Sequence, residues 1–194
     1  MNPKNYAVAL LATVMLLSCT ENKKEESLPA KPQDVNSVQT LIKGKKYTTQ
    51  KIGFYDIIIV DGERDVKWID VAKKQTQLAK NPDDNFTKME LEPIEEELKF
   101  GVQFVNDTAA TVFVRDTSFA ATYVVNDVVG QYDEVKEGIK IRLTYTDPSF
   151  SFGGGEPMEM TVTYVVIGAD DKRLLVQTPR AIDRKPLISL LKAE

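Results

Sequence analysis

The chain has 194 residues, a net charge of −4, one cysteine and no histidine. Its length and its 42% hydrophobic content suit one globular domain with a sizeable core. The absence of histidine excludes a Ser-His-Asp triad and removes the commonest metal ligand. One cysteine excludes an intrachain disulfide and a multi-cysteine zinc site. The acidic balance argues against a nucleic-acid partner, which normally requires a basic face.

The first residues predict a signal peptide. Lys4 supplies a positive charge, and residues 6–17 form an uncharged, mostly apolar run that is too short to span a bilayer. The run ends in Leu-Leu-Ser-Cys at residues 16–19, which resembles a bacterial lipobox. The resemblance implies that residues 1–18 are a lipoprotein signal peptide and that Cys19 carries the lipid. An ordinary signal peptide with a chance cysteine is the alternative.

The predicted lipid also implies a cellular location. Thr20, rather than aspartate, follows the cysteine, and by the usual sorting pattern of such lipoproteins this favours the bacterial outer membrane. Residues 19–36 are polar and charged and contain prolines, so they predict a flexible tether. The glutamates of this stretch could also form a surface-export signal. The folded domain is then expected over residues 37–194.

A short helix is predicted at the start of the folded part, over residues 34–43. Its apolar residues recur at helical spacing, Asp34 or Ser37 can cap its start, and Gly44 can adopt the left-handed conformation after its end. Residues 46–60 then predict one long strand, bent near Gly53, that returns after a turn at residues 61–64.

The next stretch is less regular. Residues 70–80 are ambiguous and would form a helix if Asp70 capped them. Alternation at Thr87, Met89 and Leu91 predicts a short edge strand before Pro93. The three glutamates at residues 95–97 are predicted to be solvated surface.

A succession of alternating apolar and polar runs dominates the remainder of the chain. A side-chain period of two predicts strands with one buried face, and short links between them predict an antiparallel meander. Long loops are expected between some strands, notably over residues 147–157, and residues 128–138 have no assignment. The runs cover residues 98–105, 110–114, 119–125, 139–145, 158–167, 174–177 and 187–191.

Closure of this meander into a barrel would remove its exposed edges. The order of lipobox, charged tether, short helix, Gly44 and meander resembles the bacterial lipocalin-like lipoproteins. Short sequence segments resemble that group too, among them residues 104–109, 121–125 and 141–145. The lipocalin tryptophan after the first-strand glycine is missing here, because Lys45, Lys46 and Tyr47 follow Gly44. The expected fold is all-β, a lipocalin-like β-barrel with a short N-terminal helix; a flattened barrel or a two-sheet sandwich is the alternative.

Aromatic residues on the apolar faces of the strands are the candidate ligand-binding residues. In a barrel they could line a pocket for a lipophilic molecule, or they could simply fill the core. They are Phe100, Phe104, Phe119, Tyr123, Tyr145 and Tyr164.

No motif predicts catalysis, a metal site or a cofactor. The alternating acids at residues 61–65 lack the glycine and the final glutamate of a calcium-binding EF-hand. Three glycines at residues 153–155 lack the lysine of a phosphate-binding loop. We therefore expect a non-enzymatic, membrane-anchored lipoprotein that binds or carries a small hydrophobic molecule. The alternative is a surface interaction or adhesion module with a filled core.

Overall fold

The computed structural model describes residues 27–60, 63–127, 139–151, 157–182 and 185–194. Within these residues it has three helices, α1 (Val35–Ile42), α2 (Val71–Lys80) and α3 (Asn85–Leu98). Its strands are β1 (Lys46–Val60), β2 (Glu63–Trp68), β3 (Phe100–Phe104), β4 (Ala109–Val114), β5 (Thr117–Asp127), β6 (Ile139–Ser151), β7 (Pro157–Ala169), β8 (Arg173–Ile182) and β9 (Lys185–Ala193).

The strands form one antiparallel sheet that closes on itself. Each of β3 to β8 pairs with the next strand along the chain, and β1 pairs with both β3 and β9. The pairing of β1 with β9 aligns Thr49 with Leu191 and Gly53 with Ile188. It closes β1 and β3 to β9 into an eight-stranded barrel, while β2 pairs with the second half of β1 outside the closure. The prediction of an all-β meander that closes into a barrel is confirmed.

The inward side chains fill the barrel with one main core. On β6, for example, Ile141 and Leu143 are buried, whereas Arg142 between them is exposed. The alternating pattern arises because successive side chains of a strand point to opposite faces. A barrel of eight strands is just wide enough for its own side chains or one small ligand.

Helix α1 covers one end of the barrel. Gly44, just after the helix, donates its N–H to the carbonyl of Phe104 at 2.8 Å, and the N–H of Phe104 donates to Lys45 at 2.9 Å. These bonds hold α1 at the last residue of β3, where Val38 and Ile42 are fully buried in the main core. We call this the α1 end of the barrel. Asp34 caps the helix and Gly44 has a φ of 75°, both as predicted.

Helix α3 lies at the other end, because it runs directly into the first residue of β3. We call this the α3 end. Leu91 is buried on this helix, and Ile94 packs against Ile52 and Leu187 of the barrel. Helix α2 contacts α3 on the outside and buries none of its own residues completely.

The predicted edge strand before Pro93 is wrong, since these residues belong to α3. In a strand, Thr87, Met89 and Leu91 would all face the same side. In the helix, Thr87 and Leu91 are four residues apart and both buried, whereas Met89 lies on another face and is 74% exposed. Pro93 lies inside the helix, although its ring normally disfavours an interior position. Packing of the helix on the barrel outweighs that local preference.

Two other predictions are corrected. Glu97 is only 3% exposed, because it shares the inward face of α3 with Ile94, so the glutamates at residues 95–97 are not all solvated surface. β6 runs to Ser151, so the first part of the predicted loop at residues 147–157 is strand. The rest of that loop at residues 152–156, the turn residues 61–62 and the unassigned residues 128–138 lie outside the described residues. So do the predicted signal peptide at residues 1–18, Cys19 and the tether up to residue 26.

Candidate functional site

The structure brings the six predicted aromatic residues together inside the barrel. Five of them are buried members of the main core, and Phe119 is partly buried at its edge. They form three pairs of neighbouring rings at different levels of the barrel: Phe104 with Tyr123, Phe100 with Tyr164, and Phe119 with Tyr145.

The first pair belongs to the tightly packed α1 end. The rings of Phe104 and Tyr123 are 4.9 Å apart and edge to face, and Tyr47 adds a third ring 6.1 Å from Phe104. The Tyr123 hydroxyl donates to the carbonyl of Asn106 at 2.6 Å. The Tyr47 hydroxyl is buried and has no hydrogen-bond partner among the described residues. Burial, and then the charges of two nearby aspartates, raise the pKa of Tyr47 well above its ordinary value.

A buried carboxyl group lies beside the second pair. The rings of Phe100 and Tyr164 are 5.4 Å apart. Glu97 of α3 accepts a hydrogen bond from the Tyr164 hydroxyl at 3.4 Å and another from Ser189 Oγ at 3.3 Å. These two partners are on β7 and β9, so Glu97 joins α3 to two separate strands. Helical spacing from Leu91 and Ile94 would have indicated its inward position.

The third pair lies at the α3 end. Phe119 is near the start of β5, next to the β4–β5 turn, and Val114 before that turn pairs with Phe100 where α3 enters the sheet. The Phe119 and Tyr145 rings are 5.5 Å apart, and Tyr145 pairs with Met160 across the sheet.

The two ends of the barrel differ in packing. At the α1 end, Phe104 and Tyr123 are almost completely buried, beside helix residues that are fully buried. At the α3 end, the strand residues Val114, Phe119 and Met160 are only partly buried, although they pack against the same core. The α1 end has partly buried residues too, namely Val35 and Leu41 of the covering helix and the small Ala169 and Ala193. The α3 end is the candidate ligand site because its partly covered side chains include the large Phe119 and Met160.

A cavity of about 680 Å³ lies outside the barrel, between α2, α3 and the β4–β5 turn. Leu78 and Leu91 form part of its apolar wall, and Arg115, which pairs with Glu96, lies at its rim. On α3, Phe86 is 63% exposed and Met89 is 74% exposed. Sequence analysis missed this site because its walls come from separate elements.

Among the described residues, no group of three acidic or cysteine side chains could hold a metal ion. None of the helices in that part of the chain is both long and apolar enough to cross a membrane.

Comparisons with known proteins add no relative. No protein-family model matches the chain, no curated protein matches it, and no solved structure matches it.

Proposed function

We propose that the protein is a membrane-anchored lipoprotein whose barrel binds or carries a small hydrophobic molecule at the α3 end. The observation that supports the proposal is the contrast between the two ends of one continuous apolar interior. The aromatic residues Phe104 and Tyr123 at the α1 end are almost completely buried, whereas Phe119 and Met160 at the α3 end are only partly buried. Ligand sites commonly occur in the mouths of β-barrels, among apolar and aromatic side chains.

The anchoring part of the proposal rests on the lipobox-like sequence that ends at Cys19. The lipid on this cysteine holds the protein in the bacterial outer membrane, on its periplasmic or cell-surface face. The order of lipobox, short helix and barrel supports membership of the lipocalin-like lipoproteins, and the missing first-strand tryptophan is a departure from that family. The protein acts by binding, without catalysis, cofactor or nucleic-acid partner.

The affinity for a small apolar ligand follows from the area that it buries. Burial of apolar surface contributes about 25 cal/mol per Å², but the loss of translational and rotational freedom offsets much of this gain. We therefore expect micromolar rather than nanomolar dissociation constants.

A fluorescent apolar probe, N-phenyl-1-naphthylamine, tests the ligand site. The Met160→Trp variant should weaken its binding by about tenfold, since added bulk at the α3 end fills the space that the probe needs. Val105→Trp is the matched control, because Val105 is exposed at the α1 end. Fluorescence titration of the three proteins checks the prediction, which is contradicted if the probe does not bind or if both variants weaken it equally.

The Cys19→Ser variant tests the anchor. It should lose labelling with radioactive palmitate and should no longer fractionate with membranes, because the chain has no other cysteine to modify. Labelling that persists in the variant would show that the lipid is attached elsewhere.

A surface interaction module is the alternative function. Two large apolar side chains of α3, Phe86 and Met89, are exposed and favour this alternative, since exposed apolar surface marks interaction sites. On this reading the barrel is only a scaffold. The alternative is supported if the probe does not bind and if the double variant Phe86→Ser, Met89→Ser loses binding to a protein or glycan that the unmodified protein binds.

A further inference from the structure

Residues 27–30 lie against the outside of the barrel, although the sequence assigns them to the tether. The carbonyl of Ala30 accepts a hydrogen bond from the N–H of Ala169 at 2.8 Å. The carbonyl of Ser27 accepts another from Arg173 Nη1, also at 2.8 Å. We call residues 27–30 the strap.

The barrel surface is shaped to receive the strap. Pro29 is buried, and its carbonyl oxygen lies close to Gly168. A Cβ atom added to Gly168 would be only 2.3 Å from that oxygen. Only glycine permits this approach of two backbones. Leu28 packs against a small outer cluster of apolar residues on neighbouring strands. The members of that cluster are Val66, Leu175, Ile188 and Leu190, with Trp68 and Ile167 at its edge.

The strap is attached at the α1 end of the barrel. Arg173, which holds Ser27, also pairs with Asp170 in the β7–β8 turn. In the same turn, the carbonyl of Asp171 accepts a hydrogen bond from Lys45 Nζ at 2.8 Å. Lys45 lies three residues after the end of α1. The tether therefore leaves the barrel beside the α1 helix.

The attachment shortens the reach of the tether. Ser27 comes eight positions after Cys19. A fully extended chain spans at most about 3.6 Å per residue, so this part of the tether spans at most about 29 Å. A tether that was free up to Val35 would span about 58 Å. The 13 residues of β6, tilted as barrel strands are, correspond to a barrel height of about 30 Å.

We propose that the strap sets the orientation of the barrel on the bilayer, with the α1 end towards the lipid and the α3 end towards the aqueous phase. The inference rests on the proposed lipid at Cys19. A tether of eight residues spans about 29 Å only when fully extended, and its average span as a flexible chain is about 16 Å, roughly half the barrel height. The bound strap therefore holds the α1 end nearer the bilayer than the α3 end. The candidate ligand site then opens away from the membrane to which the protein is attached.

The experiment measures the height of two labels above the bilayer. Lipidated full-length protein is placed in vesicles, and a single dye is attached to Asp107→Cys at the α1 end or to Asp116→Cys in the β4–β5 turn at the α3 end. Energy transfer to an acceptor lipid should place the first label nearer the bilayer by about 30 Å. The acylated Cys19 does not react, so each variant carries one dye.

Two variants release the strap from opposite sides. Leu28→Asp puts a charge against the apolar cluster, and Gly168→Ala puts a methyl group against Pro29. Both should reduce the height difference between the labels, whereas Lys31→Ala, at an exposed residue, should leave it unchanged. Equal heights in the unmodified, membrane-bound protein would overturn the orientation while leaving the anchor intact. Failure to associate with vesicles would overturn the orientation and the proposed anchor together.

Discussion

At the residue scale, the aromatic side chains of the barrel have two different roles. Phe104 and Tyr123 are almost completely buried at the α1 end, where they contribute to a packed core. Phe119 is partly buried at the α3 end, next to Tyr145. The alternation of the strands predicted that all of them face inward, but it did not distinguish packing residues from residues at the edge of the core.

Phe104→Ala should destabilise the protein strongly. Phe104 is 1% exposed and has Tyr47 and Tyr123 as ring neighbours, so truncation leaves a cavity that these residues cannot fill. The expected loss is about 3–5 kcal/mol of unfolding free energy in urea denaturation. Val105→Ala, at the exposed neighbouring position, should change it by less than about 0.5 kcal/mol. Similar losses in the two variants would contradict the assignment of Phe104 to the packed core.

Gly44→Ala tests a backbone requirement. The glycine has a φ of 75°, and a Cβ atom added to it would meet no other atom within 4 Å. The cost therefore comes from the left-handed conformation alone, which disfavours alanine by roughly 1–2 kcal/mol. Gly44→Asn should lose less stability in the same denaturation experiment, because asparagine tolerates this conformation better. An alanine variant as stable as the unmodified protein would contradict this explanation.

At the element scale, α3 is the helix that joins the candidate sites. Its inward face places Glu97 beside Tyr164 and Ser189 in the barrel, and its outer face forms a wall of the α2–α3 cavity. Asp84 caps its first turn. Hydrogen bonds from the Thr87 hydroxyl and then from the Thr87 N–H lower the pKa of this partly buried carboxyl group, despite an opposing effect of burial.

The cap predicts a pH dependence for α3. Because the pKa of Asp84 is lower in the folded than in the unfolded chain, its stabilising effect is complete above the ordinary pKa and is lost as pH falls through the folded value. Helical ellipticity should therefore decrease less between pH 5 and about pH 2 in Asp84→Ser, since serine caps a helix without titrating. Identical acid profiles for the two proteins would show that this carboxyl group does not contribute.

At the scale of the whole molecule, closure of the barrel depends on residues far apart in the sequence. Tyr47 pairs with Ala193, so the first and last strands of the described barrel are neighbours. The strap adds a further contact between the N-terminal part of the chain and β7 and β8. Among the described residues, contacts with the barrel thus extend back to Ser27, ten residues before the predicted boundary at residue 37.

Two truncated chains test where the folded unit begins. Residues 27–194 should unfold cooperatively, and residues 37–194 should be less stable by about 2–3 kcal/mol, since they lack the Leu28 contact and the Asp34 cap of α1. Urea denaturation of the two chains measures the difference. Equal stability would show that residues 27–36 do not contribute to the fold.

Local features of this protein could be predicted from its sequence. The side-chain period of two predicted which faces of the strands are buried, and Asp34 with Gly44 predicted the limits of α1, because these signals depend on neighbouring residues. That residues 87–91 are helical, that Glu97 is buried and that the strap lies on β7 and β8 became known from the folded structure alone. Each depends on packing against residues distant in the chain, which local propensity does not encode.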